Sequence, residues 1–223
     1  MSQNVNVINN AGKDVVVTVN KENGNTQIVI DLAGNRVELS TLKAGEVFKA
    51  NNVEYIVLEQ LENESTAVIR KELLEDTMKF DSDNNNWKTS SIRKYLNCEY
   101  VKELNEVFGE NNIVEHTADL LSLDGLDDYG TSIDKVRLLD IDQYRKYRKV
   151  IGENKDNWWW TCTPDSTPSG CGSGNVRCVR SFGNVDCGLC GGFEAVRPFF
   201  ILKSSIFVST CEASRGSCKK VEG

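Results

Sequence analysis

Trp158-Trp159-Trp160-Thr161-Cys162-Thr163 opens the part of this chain that decides how the rest is read. From Thr161 to Phe193 there is no Trp, Gln, Lys, Glu or Met, although these five types make up 44 of the 223 residues. At the chain average about six of them would fall there. Cys, Gly, Ser, Thr, Asp, Arg and Val stand in their place, and five of the eight cysteines (Cys162, Cys171, Cys178, Cys187, Cys190) lie inside the stretch. Neighbouring residues of an extended segment alternate faces, so at least one of the three tryptophans is buried, and Trp159 is assigned to the core. Beyond Trp158 no periodicity is visible until Val196 to Val208. There Phe199-Phe200-Ile201-Leu202 and Ile206-Phe207-Val208 restore a strand texture.

Upstream the texture is regular. Glu46-Val47-Phe48, Val53 to Glu59 and Thr66 to Arg70 read as a strand meander, with Asn51-Asn52 and Glu62-Asn63-Glu64 at its turns. A helix is expected across Thr89 to Cys98, capped by Thr89, Ser90 or Ser91, with Ile92, Tyr95 and Leu96 on its apolar face. Val101 to Phe108 continues in helical spacing. Leu120 to Tyr129 is acidic and loop-like. Ile141 to Val150 reads as a second helix, with Asp140 or Asp142 at its start and Arg and Lys towards its end, as the helix dipole favours. Ahead of all this, residues 1–40 form a separate β-rich module: Asp14 to Val19 and Thr26 to Asp31 flank an Asn23-Gly24 turn, and Arg36 to Leu39 adds a short third run. Residues 41–209 make the main domain, and 210–223 a polar, flexible tail.

Composition excludes several functions. A net charge of −7 and a pI near 4.9 leave no basic stripe for a nucleic-acid backbone. No apolar run spans a bilayer, and Met1-Ser2-Gln3-Asn4 shows no secretory signal. Synthesis in the cytoplasm is expected, with virion association as the route out. His116 is the only histidine and sits in a polar stretch, so it reads as a solvated surface residue and rules out multi-histidine iron sites. Asp81 to Asn86 resembles the start of a calcium loop but lacks its Gly and terminal Glu. Cys187-Gly188-Leu189-Cys190 is one good zinc pair without a second, and Gly191-Gly192 directly after it is a poor start for a redox helix. The favoured reading is of independently placed small residues, with no catalytic residue, metal or cofactor.

A set of ordered motifs resembles a bacterial and phage domain family of unassigned function, which overlaps the variable proteins of diversity-generating retroelements. They are Phe80, then Trp87-Lys88-Thr89-Ser90-Ser91-Ile92-Arg93-Lys94-Tyr95-Leu96-Asn97, Val136-Arg137-Leu138-Leu139 with Tyr144 to Tyr147, the tryptophan run, and Ala195-Val196-Arg197-Pro198. The match covers roughly Leu42 to Val208. Ala195 replaces the usual Gly, which implies a relaxed backbone there. The resemblance implies an α+β, C-type-lectin-like fold of the formylglycine-generating type, with a small twisted antiparallel sheet, two main helices and long irregular segments. In the retroelement members template adenines are randomised, so Asn codons become codons ending in C, which cannot encode the five missing types.

The resulting expectation is a non-enzymatic, ligand-binding display protein, encoded by a phage or prophage. Its variable segment, 161–193, is a solvent-facing irregular surface carrying Thr161, Cys162, Thr163, Cys171, Ser173, Val176, Cys178, Ser181, Asp186, Cys187, Leu189, Cys190 and Phe193. Leu189 and Phe193 are the anchors. Its partner is a protein or surface ligand, and residues 1–40 mediate homo-oligomer formation or attachment to a particle. The alternatives are a zinc-stabilised structural protein and a Cys-dependent oxidase of the formylglycine type. Trp87, Arg93 and Arg197 are read as architectural.

Overall fold

The computed structural model describes residues 15–22, 25–32, 36–152 and 157–210. The N-terminal fourteen residues, and all of the expected tail except Thr210, lie outside the described residues. Val15–Glu22 (β1) and Asn25–Leu32 (β2) pair antiparallel, from Val15 opposite Leu32 to Glu22 opposite Asn25. Two residues therefore separate the strands, as the Asn-Gly signal requires. Arg36–Glu38 (β3) corrects the expected boundary at residue 40. It does not belong to that hairpin but is the edge of the main sheet, opposite Phe207 to Ser209 near the other end of the chain.

The meander follows as Val47–Ala50 (β4), Val53–Leu61 (β5) and Ser65–Arg70 (β6). Ala50 opposes Val53, and Asn51 and Asn52 take φ of 44° and 63°, the left-handed pair of a two-residue hairpin turn. Asn tolerates that region better than any other residue bearing a Cβ. Met78–Lys79 (β7) then leads into the Trp87 motif. Ser90 caps the helix by accepting from the Arg93 N–H at 3.2 Å. Ser91–Tyr95 (α1) widens through a π turn at Leu96–Tyr100 and continues as Val101–Phe108 (α2).

Trp87, Arg93 and Asn97 of that motif serve the next segment, Ile113–Val114 (β8), His116–Asp119 (β9), Thr131–Asp134 (β10) and Val136–Arg137 (β11). Trp87 Nε1 and Arg93 Nε donate to the two oxygens of buried Asp134, at 2.8 and 2.6 Å, and Ser132 Oγ donates at 2.9 Å. Asn97 accepts the N–H groups of Lys135 and Val136 and donates to the Val136 carbonyl at 2.7 Å. A buried carboxylate is stable only with such a full set of partners, which makes these residues architectural, as their sequence reading holds. The acidic loop is enclosed by a β9–β10 hairpin that hydrophobic patterning did not reveal. Ile141–Ile151 (α3) begins at Asp140, which with Gln143 forms a capping box.

Past the tryptophans the expectation of an irregular segment is wrong. Trp159–Pro164 (β12), Asn175–Val179 (β13) and Val185–Leu189 (β14) form a three-stranded antiparallel sheet. Phe193–Glu194 (β15) pairs with β7, and Phe199–Lys203 (β16) and Phe207–Thr210 (β17) return to the main sheet. The main sheet runs β11-β16-β6-β5-β4-β17-β3, with β8 also paired to β16, and is antiparallel throughout.

Both faces of this sheet are covered, which makes the molecule a mixed α+β protein, mostly β. Tyr55, Val57, Val68 and Phe200 face the α1–α2 unit, whose Ile92, Leu96, Leu104 and Phe108 complete one core. Ile56, Leu58, Ile69 and Phe199 face Tyr144, Tyr147 and Ile151 of α3 in a second. Rings of Tyr55, Phe48, Phe108 and Phe200 sit 5.4–6.4 Å apart. Each such pair adds about 0.5–1.5 kcal/mol beyond area burial.

Candidate functional site

The two tryptophans of β12 point to opposite faces of the strand, and each finds a core. Trp160 packs on Phe80 at 6.0 Å and donates from Nε1 to the Met78 carbonyl at 2.8 Å. Trp159 meets the edge of Tyr144 at 5.6 Å, with the Arg197 guanidinium 5.7 Å from its ring centre. Trp158 is half-buried, and Arg180 lies over its ring at 4.3 Å while pairing with Asp186. Adjacent faces that are both apolar leave β12 nowhere to expose a side chain.

The polar residues of β12 are consumed by backbone. Thr161 Oγ1 donates to the Arg177 carbonyl at 2.7 Å, and Thr163 Oγ1 accepts from the Ile141 N–H at 3.0 Å. The Cys162 N–H donates to the Leu139 carbonyl at 3.0 Å. Cys162 packs against buried Arg137, and burial pushes its thiol up to about 12.

Residues outside the 161–193 segment hold its loops. Asn85 is fully buried, and its amide donates to the carbonyls of Ser166 (2.8 Å) and Asn175 (2.7 Å). The same side chain accepts from Tyr129 Oη at 2.8 Å, while its backbone N–H donates to the Ser173 carbonyl at 2.8 Å. Asp124 accepts from Ser122 and Ser166, and Asp128 from Ser169; these hydroxyl donors hold both carboxyls below the usual range. Gly170 fits beneath Leu126 because it has no Cβ, which would lie 2.5 Å from both Leu126 Cδ1 and Ser166 Oγ. Gly188 lets β14 close on Trp160 in the same way, at 3.0 Å.

The thirteen expected surface residues divide accordingly. Thr161, Cys162, Thr163, Val176, Cys178 and Cys190 are buried, which corrects their assignment to a solvent-facing set. Val176 and Cys178 belong to the same core as Trp160, and burial pushes the Cys178 thiol up to about 12 and raises that of Cys190. Ser173, Ser181, Asp186 and Cys187 are half-buried, and Cys171, Leu189 and Phe193 are exposed. Leu189 is 70% exposed and Phe193 63%, with Lys79 Nζ 5.4 Å from the Phe193 ring centre. Phe182, which sequence reasoning passed over, is 70% exposed on the turn between β13 and β14. An aromatic beside Gly183-Asn184 was the available signal. Asn85 was hidden in the run Asn84-Asn85-Asn86, where nothing in the sequence singles out the middle residue.

Other expectations resolve at the same level. His116 is not a solvated residue: its ring stands edge-on to Phe199 at 5.3 Å, and Nδ1 lies 3.2 Å from the Val114 carbonyl. Arg197 anchors the carbonyls of Arg70 and Lys71 at 3.0 and 2.6 Å. Ala195 does not loosen the backbone; its N–H and carbonyl bond the Trp158 carbonyl (2.9 Å) and the Trp160 N–H (3.1 Å). Among the described residues, no three His, Cys, Asp or Glu side chains converge as metal ligands would. A cleft of about 310 Å³ opens beside the start of α3, between Asp119, Leu121, Asp140 and Thr163, but Asp140 and Thr163 are occupied there in holding the helix. No helix among the described residues is long and apolar enough to cross a membrane. The chain matches no protein-family profile, no curated protein and no solved structure.

Proposed function

We propose that this chain is a non-enzymatic ligand-binding protein of C-type-lectin-like, formylglycine-generating-type fold. In this reading it is encoded by a phage or prophage and diversified by a retroelement. The recognition surface is narrower than its sequence reading: Cys171, Ser173, Ser181, Asp186, Cys187, Leu189 and Phe193, joined by Phe182. One observation carries the reading. The loops of 161–193 are held by Asn85, Asp124 and Asp128 and its first strand by Leu139 and Ile141, all outside the segment, while its large apolar side chains at Phe182, Leu189 and Phe193 project into solvent. Side chains that the framework does not need are free to be exchanged, and exposed anchors are what a binding surface concentrates its energy in.

Magnitude limits this variant. Burying three such side chains contributes roughly 5–9 kcal/mol, and association costs about 4–15 kcal/mol. Binding by this sequence is therefore weak, and tight binders arise from its relatives in a diversified pool. The test is a library randomised at Ser181, Phe182, Cys187, Leu189 and Phe193, displayed and scored for protease resistance and for capture by an arbitrary protein target. Most members should stay folded and some should bind. Collapse of most members would show that the surface is structural and end the reading. In the genome, the corresponding sign is a reverse transcriptase beside the gene, with a near-copy of the segment differing only at adenines.

A further inference from the structure

The turn that joins β13 to β14, Arg180 to Asn184, is held in place by α3. Tyr144 Oη donates to the Gly183 carbonyl at 2.7 Å. The Arg148 guanidinium lies against Gly183, where a Cβ would sit 3.2 Å from its Nη2. Within the turn, the Arg180 N–H donates to the Asn184 carbonyl and the Gly183 N–H to the Arg180 carbonyl, both at 2.8 Å. Gly183 takes a φ of 77°, which a residue with a Cβ resists. Phe182 sits inside this fixed turn and is 70% exposed.

The charge beside that ring is positive. Arg180 lies over the Trp158 ring and pairs with Asp186, which fixes its guanidinium while 45% of the side chain stays exposed. Arg148 is exposed and, among the described residues, forms no ion pair. Neighbouring cations of the same helix do: Arg145 pairs with Asp142 and Lys146 with Glu59. Acidic side chains outnumber basic ones by 33 to 26 in this chain, yet none of those described is placed on the Arg148 guanidinium.

An arginine fork presents parallel N–H donors that match the two oxygens of a carboxylate. Arg and Phe are both enriched in protein interfaces. A partner that satisfies this turn therefore carries carboxylates beside an apolar side chain, while a basic segment meets like charge and is rejected. The two arginines also differ in origin. Arg180 lies within 161–193, whereas Arg148 belongs to the framework and would be carried by every variant of the surface.

We infer that Phe182, Arg148 and Arg180 form a subsite for an acidic segment of a protein partner, in which carboxylates flank an apolar side chain. The inference rests on the ligand-binding reading and narrows it: charge borne by the framework at Arg148 biases the whole pool towards acidic ligands.

The test titrates the isotope-labelled full chain with a blocked Glu-Asp-Phe-Glu-Asp peptide and with its Lys-Lys-Phe-Lys-Lys counterpart, followed by amide NMR shifts. The acidic peptide should shift the amides of Arg148 and of Arg180 to Asn184. Its binding should weaken as salt rises from about 0.01 M to about 0.1 M and the screening length falls from about 30 to about 10 Å. Arg148→Gln should weaken it about two- to fivefold, the worth of one exposed ion pair, and Arg148→Glu further. Lys94→Glu makes the same charge reversal at an exposed site on α1, against the opposite face of the main sheet, and should leave binding unchanged. Absence of shifts, equal binding of both peptides, or an equal loss in Lys94→Glu would overturn the proposal. So would shifts at the turn on concentrating the chain alone, which would make a second copy the occupant. The randomised library separates this outcome from the wider reading. Binders drawn from it without any peptide effect remove the acidic preference alone. A collapsed library with the peptide shifts intact removes the diversified surface and leaves an acidic-ligand site on a fixed one.

Discussion

β12 and β14 are the outer strands of one three-stranded sheet, yet every residue of β12 is buried and none of β14 is. The two lie only about 10 Å apart, two strand spacings. The difference comes from what the neighbouring faces offer. On β12, Trp159 and Trp160 turn to opposite sides and each meets aromatic partners, so the strand is locked between two cores. On β14 the residues turned towards Trp160 are Gly188 and Asp186, and neither has an apolar side chain to bury. Tolerance to substitution should therefore fall steeply across the sheet, from β14 inwards.

The strongest way to break that contrast is Trp160→Ala. The indole is fully buried, packs on Phe80 and Gly188, and donates to the Met78 carbonyl. Removing it should cost about 3–5 kcal/mol, seen as a lower urea midpoint. Leu189→Ala on β14 should shift stability by no more than about 0.5 kcal/mol. Equal effects would mean that the sheet has no exposed side.

Much of this arrangement could be read from the residues, and the gaps have physical causes. The β4–β6 meander, a cap among Thr89, Ser90 and Ser91, and an acidic helix start at Asp140 or Asp142 were legible because hydrophobic period and cap chemistry are local signals; the structure selects Ser90 and Asp140. β13 and β14 were not, because Asn175 to Val179 and Val185 to Leu189 are short, and the second carries Asp and Gly where a strand pattern wants β-branched residues. The buried half of the candidate surface was misread for a related reason. Thr161 and Thr163 look like surface residues in sequence, but each hydroxyl is taken by a backbone group across a distance of 16 or 22 residues. The absence of Lys and Glu from 161–193 thus has a source in the fold itself. At buried positions such as Cys162 and Cys178 the core excludes those side chains.

The framework behind β12 makes a second, smaller prediction. Burial, with the Arg137 charge adding to it, lowers His116 from 6.5 to about 4. Above pH 6.5 the imidazole is neutral in both folded and unfolded chains and adds no pH dependence. As pH falls from about 6.5 to 4 the unfolded chain binds a proton that the folded one refuses, so stability falls. The total is about 3.5 kcal/mol at most, since a full pKa unit is worth about 1.4 kcal/mol. Urea titrations from pH 7 to 4 should show this slope flattened in His116→Gln. An unchanged slope would place the acid sensitivity among the carboxylates instead. Arg137 Nη1 lies 3.9 Å from Cys162 Sγ, so this stack backs β12 and has no counterpart behind β14.

The smallest effect is also the finest test, because it applies one substitution to two adjacent strands. Cys178 and Cys187 sit on β13 and β14 beside the same cross-strand pairs, Cys178 opposite Asp186 and Cys187 opposite Arg177. They turn to opposite faces. Cys178 is fully buried in the Trp160 core, and Ser there would place a hydroxyl among apolar neighbours at a cost of about 1–3 kcal/mol. Cys187 is half-exposed, and Cys187→Ser should stay within about 0.5 kcal/mol. Alkylation of the native protein gives an independent measure: Cys187 should react while folded and Cys178 only on unfolding, since a thiol pushed up to about 12 and shielded from solvent is a poor nucleophile. If both thiols resist the reagent and both serines cost the same, the core extends through β14. The proposed binding surface would then shrink to the turn at Phe182 and the tip at Leu189 and Phe193, too few positions to support a diversified repertoire.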